Sequence, residues 1–161
     1  MKNFTGKVAV ITGAASGIGR GLANQCAEEG MKIVLGDIEK GPLLKAEKEL
    51  NNVGAEVKPV LMDVSKLEDV ERLASVTIEE FGGIDLLFNN AGVGTRESVW
   101  ESTINDWKWV LGVNLWGVIH GIKIFTPIMI KQDRECFILN TASGFALIKG
   151  SSIYGVTKRG I

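Results

Sequence analysis

The stretch Val8-Ala9-Val10-Ile11-Thr12-Gly13-Ala14-Ala15-Ser16-Gly17-Ile18-Gly19-Arg20 decides the fold. Its first four residues form an apolar run without alternation, the pattern of a strand buried on both faces of a parallel sheet. The run then breaks into glycines and turns helical from about Ile18. A strand that passes through a glycine turn into a helix N-terminus suits a phosphate. Gly13, Gly17 and Gly19 let a pyrophosphate approach the backbone, and the first helical amides of Ile18 and its neighbours, with the helix dipole, favour its charge. The spacing is T-G-x-x-x-G-I-G and not the commoner G-x-G-x-x-G. A plain strand-to-helix connection would use the same residues, so the rest of the chain has to decide between the two.

The 161 residues, 45% hydrophobic and 23% charged, predict one globular domain over 1–161 and not a disordered chain. A formal net charge of −1 offers no general attraction to nucleic acid or to anionic lipid, so neither partner is expected. Cys26 and Cys136 lie far apart, without a C-x-x-C or nearby histidines, and read as buried free thiols, with no disulfide framework and no metal site. The first strand begins within a few residues of Met1, which leaves no room for a signal peptide. No apolar run reaches the roughly 18 residues of a membrane span, and a cytoplasmic location is the expectation. Glycine is the outlier, at 20 residues against an average usage of about 7%, and many glycines fall where strands hand over to helices.

Read in order, the chain alternates strand and helix. A helix at 19–29 stops at Gly30, strand 31–36 ends in Asp37, and Pro42 suits the first position of a helix running to about Asn52. Strand 57–62 closes on Asp63-Val64. The next helix has Ser65 as its expected N-cap with Glu68 three residues on, and it ends near Phe81-Gly82-Gly83. Strand 84–88 opens into Asn89-Asn90-Ala91-Gly92, and 93–102 reads as loop. Thr103 and Asp106 form a capping pair for a long apolar helix through Asn114 and Trp116 towards Lys131, which Pro127 is expected to kink or shorten. Strand 136–139 leads into Thr141-Ala142-Ser143-Gly144, and Ser151 or Ser152 begins a last helix. The whole predicts a doubly wound parallel α/β sheet of five strands whose ligands sit beyond the carboxyl ends of the strands.

The unusual residues lie at those ends. Asp37, about twenty residues after the glycine turn, can accept hydrogen bonds from both ribose hydroxyls of an adenosine. Asp63 can meet the exocyclic amine of adenine or merely cap the following helix. Asn89 to Gly92 offer amide side chains and a close backbone approach, with one asparagine expected to tie neighbouring strand ends. Tyr154, the one tyrosine, and Lys158 are four apart and share a helix face. A cation beside the phenol favours its ionised form, which suits proton transfer, although such pairs are also common on plain helix surfaces. Ser143 can donate to a substrate oxygen, and Asn114, an amide in an apolar helix, needs a partner. His120 stands without the companions of a triad or metal site. Trp100, Trp107, Trp109 and Trp116 read as core or subunit-interface residues rather than as a cofactor platform.

Taken together, T-G-A-A-S-G-I-G at 12–19, Asp63-Val64, N-N-A-G at 89–92, Asn114, Ser143 and Y-G-V-T-K at 154–158 resemble, in order and over the whole length, the short-chain dehydrogenase/reductase family. The resemblance implies a Rossmann fold and hydride transfer between NAD(P) and a small alcohol or carbonyl. Tyr154 would be the general acid/base, and Lys158 would hold the nicotinamide ribose and promote ionisation of the tyrosine. Ser143 would orient the substrate oxygen and Asn114 would support a proton-relay water. Gly13, Ser16, Gly17, Ile18, Gly19, Asp37, Asp63, Val64, Asn90, Ala91 and Gly92 would join Tyr154 and Lys158 in holding the cofactor. NAD is expected over NADP, because Asp37 would face a 2′-phosphate and neither Ala15 nor Ser16 offers a cation.

Two departures stand out. The interval from Ser143 to Tyr154 is slightly short for the family, and the family usually continues through two more strands and a substrate-binding segment beyond the Tyr-Lys motif. The sequence therefore reads as an N-terminal portion of such an enzyme, expected by itself to bind dinucleotide weakly if at all and to show no turnover. The full-length form is expected to be a homo-oligomer, a dimer or tetramer, through the Trp-bearing helix. A non-catalytic dinucleotide-binding module is the alternative. A methyltransferase ranks far below it, since Asn-Asn-Ala-Gly and Tyr-x-x-x-Lys have no role there.

Overall fold

The structure, a computed structural model, describes residues 3–95, 97–147 and 152–161. Five parallel strands, β1 (Val8–Thr12), β2 (Lys32–Asp37), β3 (Val57–Leu61), β4 (Leu86–Asn89) and β5 (Phe137–Asn140), form one sheet in the order β3-β2-β1-β4-β5. Between them run α1 (Gly17–Glu28), α2 (Lys40–Asn52), α3 (Leu67–Phe81), α4 (Ile104–Leu111) and α5 (Gly117–Lys131). The short α6 (Ile153–Lys158) follows β5. The order reverses at β1, whose neighbours are β2 and β4. Such a reversal opens a crevice beyond the carboxyl strand ends.

Strand side chains alternate between the two faces of the sheet, and each face has its own core. Ala9, Ile11, Ile33 and Leu35 pack with Ala23 and Cys26 of α1 and Leu43, Ala46 and Leu50 of α2. Val10, Val34 and Val60 turn the other way, onto Val70, Leu73 and Ala74 of α3 and Phe125 and Met129 of α5. This double burial explains the unbroken apolar run at 8–11. At the amino end of the sheet the buried Asp85 accepts from the Val8 amide at 2.8 Å and pairs with Lys7 and Arg134, which stitches β1 to β4 away from the crevice. Burial pushes the Cys26 thiol up to about 11, with Glu29 adding to the shift.

Several local expectations are corrected. Helix α2 starts at Lys40, so Pro42 is its third residue and not its first. It still needs no N–H there, since the first turn has no intrahelical acceptor for it. Helix α3 begins at Leu67 with Lys66 as an uncapped N-cap. Ser65 does not cap it, because its hydroxyl and amide both donate to the nearer Asp63 carboxylate, at 2.7 and 2.9 Å. Pro127 does not shorten α5, which reaches Lys131. The proline lies on the exposed face, where water can serve the carbonyl left without a donor.

The Thr103–Asp106 capping box forms as expected, but between α4 and α5 the helix widens into a π segment, Gly112–Trp116, invisible to apolar periodicity. The continuous rod of residues 104–131 is long and apolar enough by length and composition to cross a bilayer, contrary to the expectation that no stretch would be. In the fold its inner face packs on the sheet and α3 through Phe125 and Met129, and Val118 is buried as well. Ser152 caps α6 by accepting from the Gly155 amide; Ser151, the other expected start, lies outside the described residues.

Candidate active site

A cleft of about 690 Å³ opens beyond the carboxyl ends of the strands, within the 300–1,000 Å³ common for small-molecule sites. Of the residues expected around a dinucleotide, Gly13, Ser16, Gly17, Ile18, Asp37, Asp63, Val64, Asn90, Ala91, Gly92 and Tyr154 line it. Gly19, Asn114, Ser143 and Lys158 do not line it; Gly19, Asn114 and Lys158 contact residues that do.

The glycine turn is close-packed. A Cβ on Gly13 would lie 2.9 Å from the Ala91 Cα, and one on Gly19 only 2.0 Å from the Gly13 carbonyl oxygen. Gly17 has open space but a φ of +53°, a conformation that glycine adopts without strain. Asn90 holds this turn from the side, its Nδ2 donating to the carbonyls of Thr12 at 3.0 Å and Gly13 at 3.4 Å. Thr12, which sequence reading passed over, accepts from the amides of Asn90 and Ala91 through its hydroxyl and donates to Phe88. Asn89 ties β4 to β5 by donating to Asn140 at 2.9 Å. Gly121 allows this, because a Cβ there would lie 2.1 Å from the Asn89 Oδ1.

At the far end Asp37 accepts from the amides of Ala15 at 2.9 Å and Glu39 at 3.0 Å, one with each carboxylate oxygen. Each oxygen keeps a lone pair for a ligand hydroxyl. Asp63 holds the turn after β3, and Asp69 braces it by accepting from the Asp63 amide at 2.9 Å while pairing with Arg72. These bonds, the Asp63 amide first and Arg72 next, hold the Asp69 carboxyl below its ordinary 3.8. A lowered folded value means that the stabilisation is present above the unfolded pKa and is lost as pH falls through the folded one. Asp69→Ala is therefore expected to cost about 1 kcal/mol, the usual worth of such a bond. Urea midpoints at pH 7 check the cost, and the gap between wild type and variant should close as the pH drops below 3.8.

At the near end Tyr154 projects from α6. Gly94 lies against its ring, which Phe145 meets edge-on at 6.0 Å between centroids. Lys158 is buried at 4% exposure. Its ammonium donates to the Thr141 carbonyl and lies 5.8 Å from the Tyr154 ring centroid. Burial pushes the pKa of Lys158 down.

Asn114, fully buried in the π segment, accepts from the Val93 amide at 2.8 Å. It donates to the Val93 carbonyl at 2.9 Å and to the Thr157 hydroxyl at 3.0 Å. Thr157, also missed in the sequence, passes the link on to the Tyr154 carbonyl. Asn114 thus sets the loop after β4 against the helix that carries Tyr154. The Ser143 oxygen accepts from the Phe145 amide, which leaves its own O–H to donate. Among the described residues no group of histidines, cysteines and carboxylates could hold a metal.

The family model described as short chain dehydrogenase matches residues 7–161, and the chain belongs to that family. The chain is 40% identical over 148 residues to a CLA biosynthesis dehydrogenase/reductase of Lactiplantibacillus plantarum, covering 92% of this chain and 52% of that protein. A crystal structure of a short chain dehydrogenase/reductase from Burkholderia phymatum in complex with NAD superposes with a TM-score of 0.97. The two are 49% identical, over 99% of this chain and 58% of that one. NAD+-bound xylitol dehydrogenase superposes at 0.92 with 36% identity, over 99% of this chain and 62% of that one. The chain spans about half the length of the curated relatives it matches.

Proposed function

We propose that this protein is an NAD-linked oxidoreductase that interconverts a small alcohol and its carbonyl. The observation that carries the reading is that Tyr154, with the buried Lys158 ammonium beside it, opens into the same cleft as the glycine turn and Asp37. The NAD complex of the Burkholderia phymatum relative supports the cofactor, and so does the glycine turn, which lines the cleft through Gly13, Ser16, Gly17 and Ile18. When bound, NAD supplies the hydride acceptor. Gly13, Ser16, Gly17 and Ile18, on the turn that Gly19 keeps tight, would receive the pyrophosphate. Asp37 would take the ribose hydroxyls, Asp63 and Val64 the adenine side, and Asn90 to Gly92 the nicotinamide half.

Tyr154 would accept the substrate hydroxyl proton in oxidation and return it in reduction. Lys158 would sustain the phenolate and hold the nearby ribose, Ser143 would donate to the substrate oxygen, and Asn114 would hold a relay water through its π segment. A cytoplasmic setting and self-association are part of the proposal. The second is supported by Trp116, Ile119 and Ile122, exposed on the outer face of the long helix.

NAD is expected over NADP. Asp37, Glu39 and Asp63 line the adenosine end, and no lysine or arginine lines the cleft among the described residues. A 2′-phosphate about 4 Å from one carboxylate is repelled by about 4 kcal/mol at an effective dielectric of 20, and a tenfold preference needs only about 1.4 kcal/mol. Titration with both dinucleotides should show NAD binding at least tenfold tighter, with Asp37→Ala collapsing the ratio. Tighter NADP binding, or a ratio indifferent to Asp37, would overturn the assignment. NAD binding without turnover of any alcohol by the whole protein would favour the non-catalytic module.

A further inference from the structure

Among the described residues one tryptophan, Trp109, lines the cleft, half exposed on α4. Of the tryptophans expected in core or subunit interface, Trp109 is thus outside the core, and the packing of the rod explains its position. Three successive levels of the rod press on the turn after β3. A Cβ on Gly112 would sit 3.2 Å from the Ser65 Cβ, one on Gly117 would sit 2.8 Å from a Val64 methyl, and His120 Nδ1 lies 3.0 Å from the Val64 carbonyl oxygen. Gly112 is three residues beyond Trp109, on the same face of the helix. Trp109 therefore lies on the helix face turned towards the Asp63–Ser65 turn, one helical turn before Val113, and both residues line the cleft.

Ile38, 65% exposed, also lines the cleft. A half-exposed indole and an exposed isoleucine border a cleft end that also holds Asp37, Glu39 and Asp63. An exposed indole face suits a planar heterocycle, and the carboxylates repel a phosphate there. Among the described residues, Asp63 uses only Oδ1 within the protein, which leaves Oδ2 to accept from an exocyclic amine.

We propose that Trp109 is an aromatic platform for the adenine base, seating it against the wall formed with Val113 and setting affinity at the adenosine half of the cleft. The inference rests on the dinucleotide reading above and deepens it. Stacking of bases on aromatic side chains is a general source of affinity, and every residue of this half precedes Asn114 in the chain.

The test uses NAD, AMP and nicotinamide mononucleotide as separate probes, followed by calorimetry or ligand-observed NMR. Trp109→Ala should raise the Kd of both NAD and AMP about tenfold, or about 1.4 kcal/mol, and leave nicotinamide mononucleotide unaffected. Trp109→Phe should recover most of the loss. AMP should quench tryptophan fluorescence in the wild type and in Trp100→Phe, an exposed tryptophan outside the cleft, but not in Trp109→Phe. Equal AMP affinity in wild type and Trp109→Ala, or quenching that survives Trp109→Phe, would overturn this inference alone. A wild-type protein that binds neither NAD nor AMP would overturn the dinucleotide reading as well.

Discussion

Tyr154→Phe is expected to lower kcat by about 10²–10⁴-fold, the range removed with a general acid/base, while NAD affinity stays nearly unchanged. The substitution deletes one hydroxyl and keeps the ring, so the edge contact with Phe145 and the packing of Gly94 survive. The α6 backbone is held independently, by Ser152 at its start and by the link from Asn114 through Thr157 to the Tyr154 carbonyl. Little of the binding surface or the scaffold therefore depends on the phenol oxygen. The measurement is NADH formation by the whole protein with whichever alcohol it oxidises, beside a dinucleotide titration of the same preparation. A variant that kept most of its kcat would move proton transfer to another residue. One that lost NAD binding equally would make Tyr154 a structural contact.

The sheet was legible because burial on both faces leaves a plain mark. The run at 8–11 is apolar at every position, and the structure divides it between two cores, Ala9 and Ile11 on one side and Val10 on the other. The residues around the cleft were legible because they sit where strands stop, and in a parallel sheet those stops share one edge. What the sequence hid depends on contacts across long intervals or on competition between neighbours. Thr12 reaches Asn90 across the switch point, which no local pattern announces. Ser65 had two uses, capping a helix or donating to Asp63, and only the folded turn decides between them. The π segment preserves the apolar composition of the rod while turning Asn114 inward. Trp109 reads as a core or subunit-interface residue, and only the folded chain brings it to the cleft lining.

Gly19→Ala is expected to weaken dinucleotide binding strongly, and Gly17→Ala is the comparison that shows why. At Gly17 a methyl meets nothing within 4 Å, but the backbone sits at φ +53°. The cost is that of the left-handed conformation for an L-residue, about 1–2 kcal/mol, with the turn's shape kept. At Gly19 the backbone is ordinary helix, and the new Cβ would lie 2.0 Å from the Gly13 carbonyl oxygen and 2.6 Å from the Asn90 Nδ2. Neither neighbour can yield cheaply. The Gly13 carbonyl belongs to a turn already pressed against Ala91, and Asn90 is bonded to Thr12, Gly13 and Thr141. The helix must therefore move away from the turn, opening the phosphate cradle. Overpacking of this kind typically costs about 1–3 kcal/mol, similar to the strain at Gly17, so urea midpoints alone will not separate the two variants. Dinucleotide affinity should. Gly19→Ala displaces the amides and carbonyls that frame the pyrophosphate, and its NAD affinity should fall at least tenfold below that of Gly17→Ala at matched folded fractions. Equal NAD affinity in the two variants would mean that the contact between Gly19 and the Gly13 carbonyl holds the fold together but does not shape the site.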